Sequence, residues 1–564
     1  VNPLPPVPRA RTWLDPDRWP ATLLLAGVLG LAFWMLALAT TKATPEGAPP
    51  DEWAHISYVH EAATGPGLLP DYQHSRILPA RKTRNYLNHP PLYYSLLGLA
   101  AKAFGLDASI DYRAFRAISA GFVALGLALW VLVARMLGFS LLQTVPLALS
   151  VSAVPMFPYL AGSINNDNLA YLAVAIAFVG LAGLERMPRA AWYIGATGLG
   201  MALLTKGTAG VFLVLVFGSW IVATVAGPSR RMLRNRHFVM SLAGLLLVVG
   251  GYYAFAFAQY GTFLPTSGIL RTAGAAPVES MSFAAFLVAF FRLMLHYVPM
   301  ITDHAPVAPL GAAGKFLCFA SIILPLTGLL ASKPGTRRGT AGRLAAVMVV
   351  AGAATLAAHV ALTWNSYQRL GGIYSTQPRY YFYLLPGFSV LGFAGYRENR
   401  LSRHAFHAFV VVVLAAAAIV PLQTMRAERL RHAAAQRIDF QATAPMAGPP
   451  RKIGLDGGSA GHLDLAQKKG SVIELRGWAV DEASSRPASR LDIYYDGRRV
   501  GTLDPGRPRP DVAAALDDDD ARNAGFEGRI ESVPSTVSPC DLQFAAVQQS
   551  GQSIEILPSK AACQ

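Results

Sequence analysis

Charge and cysteine are what this 564-residue chain has little of. Only 15% of its residues are charged, against about one quarter in an ordinary soluble protein. With 53% hydrophobic residues, the low charge does not mean disorder, which requires low hydrophobicity. A nucleic-acid partner is also excluded in outline. Such binders concentrate Lys and Arg on a polar domain, whereas here 49 basic residues, 16 more than the 33 acids, are diluted among long apolar runs. The three cysteines are Cys318, Cys540 and Cys563, and no Cys-x-x-Cys metal spacing exists. Cys318 sits in an apolar run and packs there as a small hydrophobe. No metal-ligand set stands out, so a divalent metal is possible but not indicated, and metal dependence stays open. There is no internal repeat at a fixed period. The first apolar run is too long for the h-region of a cleavable signal peptide.

What the chain does have is apolar length. A span needs roughly 20 apolar residues. Runs that meet or approach this are 20–42, 113–137, 141–162, 168–185, 190–205, 208–226, 238–258, 312–332, 344–363, 379–396 and 405–425. The expected fold class is therefore a polytopic α-helical membrane protein of about 11 transmembrane helices. Runs 190–205 and 208–226 are also open to a reading as one kinked element.

Loop charge sets the expected orientation. Arg230, Arg231, Arg234 and Arg236 form one basic loop; Lys333, Arg337, Arg338 and Arg343 a second; Arg397, Arg400 and Arg403 a third. Short Lys/Arg-rich loops stay cytoplasmic. Segment 1–19 is then inside, and the 43–112 loop and everything after 425 are outside. For this count to work the run 283–300 stays on the outer side. It carries Arg292 and His296 on one helical face and reads as an amphipathic interfacial helix. Pro90-Pro91-Leu92-Tyr93-Tyr94 opens a helix to about Phe104, too short to cross.

Residues 20–425 thus form the membrane domain, 426–450 a linker, and 451–564 an extracytoplasmic all-β domain. Leu491 to Tyr495, Asp496-Gly497 and Arg498 to Leu503 read as a hairpin. Ile473 to Val480 reads as a strand, and Asp541 to Val547 with Ser553 to Leu557 as a second hairpin. Cys540 and Cys563 lie just beyond its open ends. They would pair in an oxidising compartment, with a chain-entropy gain of roughly 3 kcal/mol. The run Asp517 to Asp520 lacks the spaced-oxygen pattern of a calcium loop and reads as a solvated acidic turn.

The chemistry-bearing residues gather on the outer side. Asp51-Glu52 follow the first span beside an apolar surface. Partial desolvation makes a carboxylate more basic, as a general base requires; alternatively the pair caps a helix. Asn165-Asn166-Asp167-Asn168, Lys206 and Arg379-Tyr380-Tyr381 lie at the outer ends of other spans. Ionisable groups at membrane depth are functional suspects. The bland alternatives are an N-cap role for Asp167 and headgroup snorkelling for Lys206 and Arg379. Arg76, Arg81, Lys82, Arg84 and His89 add a basic cluster. It contacts lipid phosphates, or balances Glu46, Asp51, Glu52, Glu61 and Asp71 in the same loop. His296 and His304 are open to a metal or phosphate site, although lone histidines near aromatics are more often structural.

A first span, an outer Asp51-Glu52 and the Pro90 to Tyr94 helix start together resemble the GT-C superfamily of membrane glycosyltransferases. The resemblance is to bacterial members near the protein O-mannosyltransferases, lipid A aminoarabinose transferases and mycobacterial arabinofuranosyltransferases. Asn165 to Asn168 and Gln377-Pro378-Arg379-Tyr380 are similar to motifs of uncharacterised bacterial families in that superfamily. The resemblance covers roughly residues 20–425. It implies extracytoplasmic juxtamembrane helices and a polyprenyl-phosphate-linked sugar as donor. It further implies an inverting transfer to an extracytoplasmic hydroxyl of a glycan, lipid or protein, by a monomer in a bacterial inner membrane. Arabinofuranose and a hexose such as mannose are the sugars it suggests.

By the same resemblance Asp51 is the base, and Glu52 and Asp167 orient the acceptor or sugar together with His55, Asn166 and Tyr94. Arg379, Lys206, Tyr380, Lys82, Arg84 and His89 hold the donor phosphate, which leaves as an anion and needs cations. His89 departs from the pattern, because aminoarabinose transferases usually carry Lys before Pro-Pro-Leu. Gly477 to Asp481, Arg509 to Val512 and Gly525-Phe526 resemble a module of glycan-related proteins, which implies a carbohydrate-binding β-sandwich. The competing readings are a transporter or flippase of a lipid-linked glycan precursor and a membrane-anchored glycan-binding protein. Transporters show repeats and midplane charges, which this sequence lacks, and eleven spans are too many for an anchor.

Overall fold

The computed structural model describes residues 19–42, 51–65, 69, 89–107, 111–225, 233–263, 281–300, 311–331, 340–370, 373, 376–394, 396, 399–433, 436–440, 444–445, 461–481, 484, 486–509, 512–513, 516, 518–548 and 553–556. The chain divides into two units; among the described residues the helical unit ends at Met425, and those from Arg426 on, which hold the strands, belong to the second.

Among the described residues, seven helical stretches are long and apolar enough to cross a membrane. They are α1 (Trp19–Thr41), α4 (Tyr112–Met136), α9 (Gly207–Val225), α10 (Arg236–Leu245) continued through a π turn into α11 (Gly251–Tyr260), α13 (Ala312–Ala331), α14 (Thr340–Leu370) and α16 (Arg400–Ala433). The chain is a multi-pass membrane protein. The other four expected spans fall on shorter elements. Run 141–162 is broken into α5 (Leu141–Leu149), a 3-10 turn and α6 (Met156–Ala161). Pro155 forces the break, because a residue before proline is pushed out of the helical region, and Val154 is extended with ψ 107°. α7 (Asp167–Gly183) has 17 residues and α8 (Pro188–Leu203) has 16. Run 379–396 becomes a 3-10 stretch, Pro378–Leu384, and the eight-residue α15 (Leu385–Gly392). α8 and α9 are two helices, separated at Lys206.

α1, α4, α7 and α8 pack side by side around one core that holds Phe33, Trp130 and Phe178. Lipid tails are as apolar as these side chains, so close packing rather than hydrophobicity must hold the helices together. α7 and α8 achieve it through glycine: a Cβ on Gly180 would lie 2.4 Å from the Gly195 nitrogen.

Among the described residues, three further helices lie outside all of the expected spans. α2 (Glu52–Thr64) and α3 (Leu92–Phe104) pack on each other. α12 (Phe283–Tyr297), expected as a non-spanning helix, is 15 residues long and sets Phe286 and Phe290 against Tyr367 of α14. His304 lies outside the described residues.

The second unit is a two-sheet sandwich. One sheet has the order β1 (Gln436–Asp439), β7 (Gly525–Glu531), β4 (Val472–Ala479), β3 (Gly461–Lys469). The other runs β2 (Ala444–Pro445), β6 (Arg498–Leu503), β5 (Arg490–Tyr495), β8 (Leu542–Val547), β9 (Ser553–Ile556). Ile473, Leu475, Phe526 and Ile530 of the first meet Ile493, Val500, Leu503 and Phe544 of the second in one core. Both expected hairpins form. Asp496 and Gly497 have φ of 48° and 68°, the two left-handed residues a two-residue hairpin turn demands. β1 and β2 lie inside 426–450, so that segment contributes strands to the sandwich. Asp518 caps a 3-10 turn and Asp520 pairs with Arg486, as befits a solvated acidic turn.

Candidate active site

Asp51 stands immediately before α2 with φ 61°, a left-handed conformation, and its side chain caps nothing. A non-glycine residue held there is uncommon and clusters at functional sites. Its Oδ2 instead accepts a hydrogen bond from Arg379 Nη2 at 2.6 Å. Arg379 enters from the 3-10 stretch that follows Gln377. Pro378 fixes that entry, since proline favours the first turn of a helix.

A second ion pair lies beside the first. Lys206, between α8 and α9, bonds to Asp167 Oδ1 at the start of α7. The cap position of α7 is held by Asn166, so Asp167 is free of the capping role. The Tyr380 ring joins the two pairs, with Lys206 Nζ 5.2 Å and Arg379 Cζ 5.6 Å from its centroid. Both cations lie within reach of a favourable contact with the ring face.

The adjacent acid is placed quite differently. Glu52 is wholly buried and takes two bonds from Arg116 of α4, at 2.9 Å from Nε and 2.6 Å from Nη2. The backbone N–H of Ile164 gives it a third at 2.9 Å. The pair of acids therefore splits: Asp51 faces the charged layer, and Glu52 locks α2 to α4 and to the turn before α7.

Behind the ion pairs lies a histidine–tyrosine layer. Leu92 N–H bonds to the Leu204 carbonyl at 2.9 Å, tying the start of α3 to the end of α8 and bringing His89 beside Lys206. Asn166 Nδ2 donates to the Thr205 carbonyl at 3.1 Å and to His89 Nδ1 at 2.7 Å. A carbonyl can only accept, so the amide orientation is fixed and His89 Nδ1 is an acceptor, which leaves its proton on Nε2. Burial, with the Lys206 ammonium beside it, pushes His89 down to about 3. His55 Nδ1 meets Tyr94 OH at 2.8 Å, and Tyr94 stacks on Tyr58 with centroids 3.7 Å apart. Burial first, then His89, holds His55 well below the usual histidine range. His55, Tyr94 and Asn166 are all buried, supporting the layer in front of them.

The structure thus brings together Asp51, Arg379, Tyr380, Lys206, Asp167, Asn166, His89, Tyr94 and His55, with Glu52 directly behind. Lys82, Arg84 and Cys563 lie outside the described residues, as does most of the basic cluster around 76–84. Cys540 lies in the 3-10 turn Pro539–Asp541 that leads into β8. Sequence reasoning missed Arg116, although a charge inside an apolar run is itself a signal. It also missed Tyr58 and Thr205, which carry no signal of their own.

Beside the ion pairs a small cleft, with room for little more than a water, lies between α4, α6, α7 and the 3-10 stretch. Asp167 and Arg379 line it, with Val123, Phe157, Leu160 and Phe382 as apolar walls. Among the described residues no group of three or more His, Cys, Asp or Glu side chains is arranged to hold a metal.

No family model and no curated protein matches the chain. Among the solved structures similar to it are two of one protein. One is ArnT from Cupriavidus metallidurans bound to undecaprenyl phosphate, 14% identical, with 73% of this chain and 76% of that one covered and a TM-score of 0.45. The other is the same protein in the apo state, 17% identical, with 68% and 60% covered and a TM-score of 0.43. Both scores lie below 0.5, and neither likeness bears weight for fold or activity.

Proposed function

We propose that the protein is a membrane glycosyltransferase that moves a sugar from a polyprenyl-phosphate donor to a hydroxyl acceptor. The carrying observation is the two ion pairs, Asp51–Arg379 and Asp167–Lys206, meeting at Tyr380 in a membrane protein. A lipid-linked donor requires an apolar scaffold for its tail. Its phosphate leaves as an anion and requires cations, not a general acid. A hydroxyl acceptor is a poor nucleophile and requires a carboxylate base.

In the reaction the acceptor oxygen attacks the anomeric carbon while the bond from that carbon to the phosphate oxygen breaks. The acceptor proton passes to Asp51. The phosphate leaves with the bonding electrons and is held by Arg379 and Lys206. A single displacement inverts the anomeric centre. Glu52 holds Asp51 in place through Arg116, and Asn166 holds His89 as a neutral donor on the phosphate side.

The positive-inside pattern of the loops supports a site on the outer face of a bacterial plasma membrane. The sandwich then lies outside as well, where Cys540 and Cys563 pair. Trp478, on the segment that suggested a carbohydrate-binding module, packs against Val480, Val512 and Ala521. Glycan recognition by this unit would accordingly use polar side chains of the sheet face.

The test is to supply the full-length protein, in lipid nanodiscs, with polyprenyl-phosphate sugars and a panel of hydroxyl acceptors. Release of polyprenyl phosphate coupled to acceptor glycosylation is expected. Lipid flipping in vesicles without consumption of any donor would replace this reading with the flippase.

A further inference from the structure

We infer that Tyr253 is a positioning residue for Lys206: its hydroxyl is one of three donors that hold the break between α8 and α9 open, and so fix the lysine where it can meet a phosphate. The inference rests on the reading of Lys206 as a ligand of the donor phosphate.

α8 ends at Leu203 and α9 begins at Gly207, with Lys206 in the break. In an unbroken helix the carbonyls of Leu203, Leu204 and Thr205 would accept from the N–H groups of Gly207, Thr208 and Ala209, four residues on. Each instead accepts from a different element. Tyr253 OH of α11 donates to Leu203 at 2.9 Å, the Leu92 N–H to Leu204 at 2.9 Å, and Asn166 Nδ2 to Thr205 at 3.1 Å. Inside a membrane no water replaces such a donor, so a broken helix persists only where neighbouring elements satisfy the freed carbonyls. Without the tyrosine hydroxyl, the Leu203 carbonyl regains a partner by extending α8 toward Gly207. That extension carries Lys206 away from its place beside Asp167 and Tyr380.

The helix that bears Tyr253 is shaped to reach this carbonyl. Leu245 of α10 and Val249 of the π turn lie against Gly200 of α8, where a Cβ would sit 3.1 Å and 3.6 Å from their methyl carbons. Tyr253 continues the same face four residues on. A regular α-helix turns about 100° per residue, so a side chain eight residues after Leu245 would point about 80° away from it. The π turn Leu246–Gly250 lies between the two and takes up the excess, because it holds more residues per turn. Such turns occur frequently at functional sites. Among the described spans, this one has the smallest share of its length buried, and Tyr253 is half-buried. Removing one hydroxyl there leaves the packed core undisturbed.

The experiment uses the full chain in lipid nanodiscs and compares sugar-free polyprenyl phosphate with uncharged polyprenol. The wild type is expected to bind the phosphate more tightly. Tyr253→Phe is expected to weaken phosphate binding by about three- to ten-fold and to leave polyprenol binding unchanged. Added to Lys206→Met/Asp167→Asn, the same substitution is expected to change phosphate binding by less than about two-fold, because the ammonium it positions is gone. Wild-type phosphate affinity in Tyr253→Phe overturns the inference. So does an equal loss of polyprenol binding, which would make Tyr253 a packing residue, and so does a full loss in the Lys206→Met/Asp167→Asn background. If the wild type binds polyprenyl phosphate no better than polyprenol, Lys206 holds no phosphate and the inference falls. If it binds the phosphate better but consumes no sugar donor, the transferase reading alone falls.

Discussion

Asp51 Oδ2 accepts a hydrogen bond from Arg379 Nη2 at 2.6 Å, joining residues 328 positions apart in the chain. The proposed base and the proposed phosphate ligand are thus each other's partner before any substrate arrives. A donor phosphate that reaches Arg379 competes with Asp51 for one guanidinium, so occupancy of the donor site and freedom of the base are coupled. Asp51→Asn removes the base and also the competitor. Transfer is expected to fall by about 10²–10⁴-fold, while the affinity for sugar-free polyprenyl phosphate holds or rises. Arg379→Gln is expected to lose both. Titrating both variants with the lipid checks this, and weaker lipid binding by Asp51→Asn would refute the competition.

Glu52 and Arg116 form the buried anchor of the site, with side-chain exposures of 0% and 4%. Removing one partner of such a pair strands the other charge and costs about 3–5 kcal/mol. Glu52→Gln is therefore expected to lower the thermal midpoint clearly. A Glu52→Leu/Arg116→Leu double variant is expected to recover much of that loss, as buried pairs replaced by apolar side chains often do. A Glu52→Gln protein that keeps its midpoint but loses transfer would place Glu52 on the substrate instead.

The contrast between Asp51 and Glu52 shows what the amino-acid sequence could and could not disclose. Adjacent acids after an apolar run marked the position, because charge beside a membrane is costly anywhere. Which acid faces the charged layer depends on the left-handed backbone at Asp51 and on Arg116, 64 residues away from Glu52. Neither is written in local pattern. The same holds for helix length. α1, α4 and α16 follow directly from apolar runs, whereas run 379–396 looked like a span and is a 3-10 stretch followed by a short helix. Composition could not distinguish a segment buried among helices from one facing lipid. The β5–β6 hairpin was legible because Asp496-Gly497 demands positive φ. The membership of β1 in the sandwich was not, since its partner β7 lies far along the chain and runs parallel to it.

Lys206 and Asp167 form the second pair, with side-chain exposures of 10% and 11%. Lys206→Met leaves Asp167 buried with neither oxygen paired, because Oδ2 already has no partner among the described residues. A loss of stability of about 3–5 kcal/mol is expected on that ground. Adding Asp167→Asn removes the stranded charge and is expected to restore the thermal midpoint but not the affinity for polyprenyl phosphate. Full recovery of lipid binding in the double variant would show that Lys206 does not touch the phosphate.

His89 makes the stability of the protein depend on pH, with a definite sign. An unperturbed histidine titrates near 6.5, whereas burial and Lys206 push His89 down to about 3 in the folded protein. Between these values the unfolded chain binds a proton that the folded chain refuses. The stabilising contribution is therefore complete above about pH 6.5 and is lost as the pH falls toward 3. At pH 5 the gap is roughly 1.5 units, or about 2 kcal/mol at 1.36 kcal/mol per unit. His55 acts in the same direction, held down by burial and by His89 itself. The thermal midpoint of the wild type is expected to drop between pH 7 and pH 5. His89→Gln, whose amide can still meet Asn166, is expected to start lower at pH 7 and to drop less. A variant that loses as much between the two pH values as the wild type does would show that His89 stays neutral at no energetic cost.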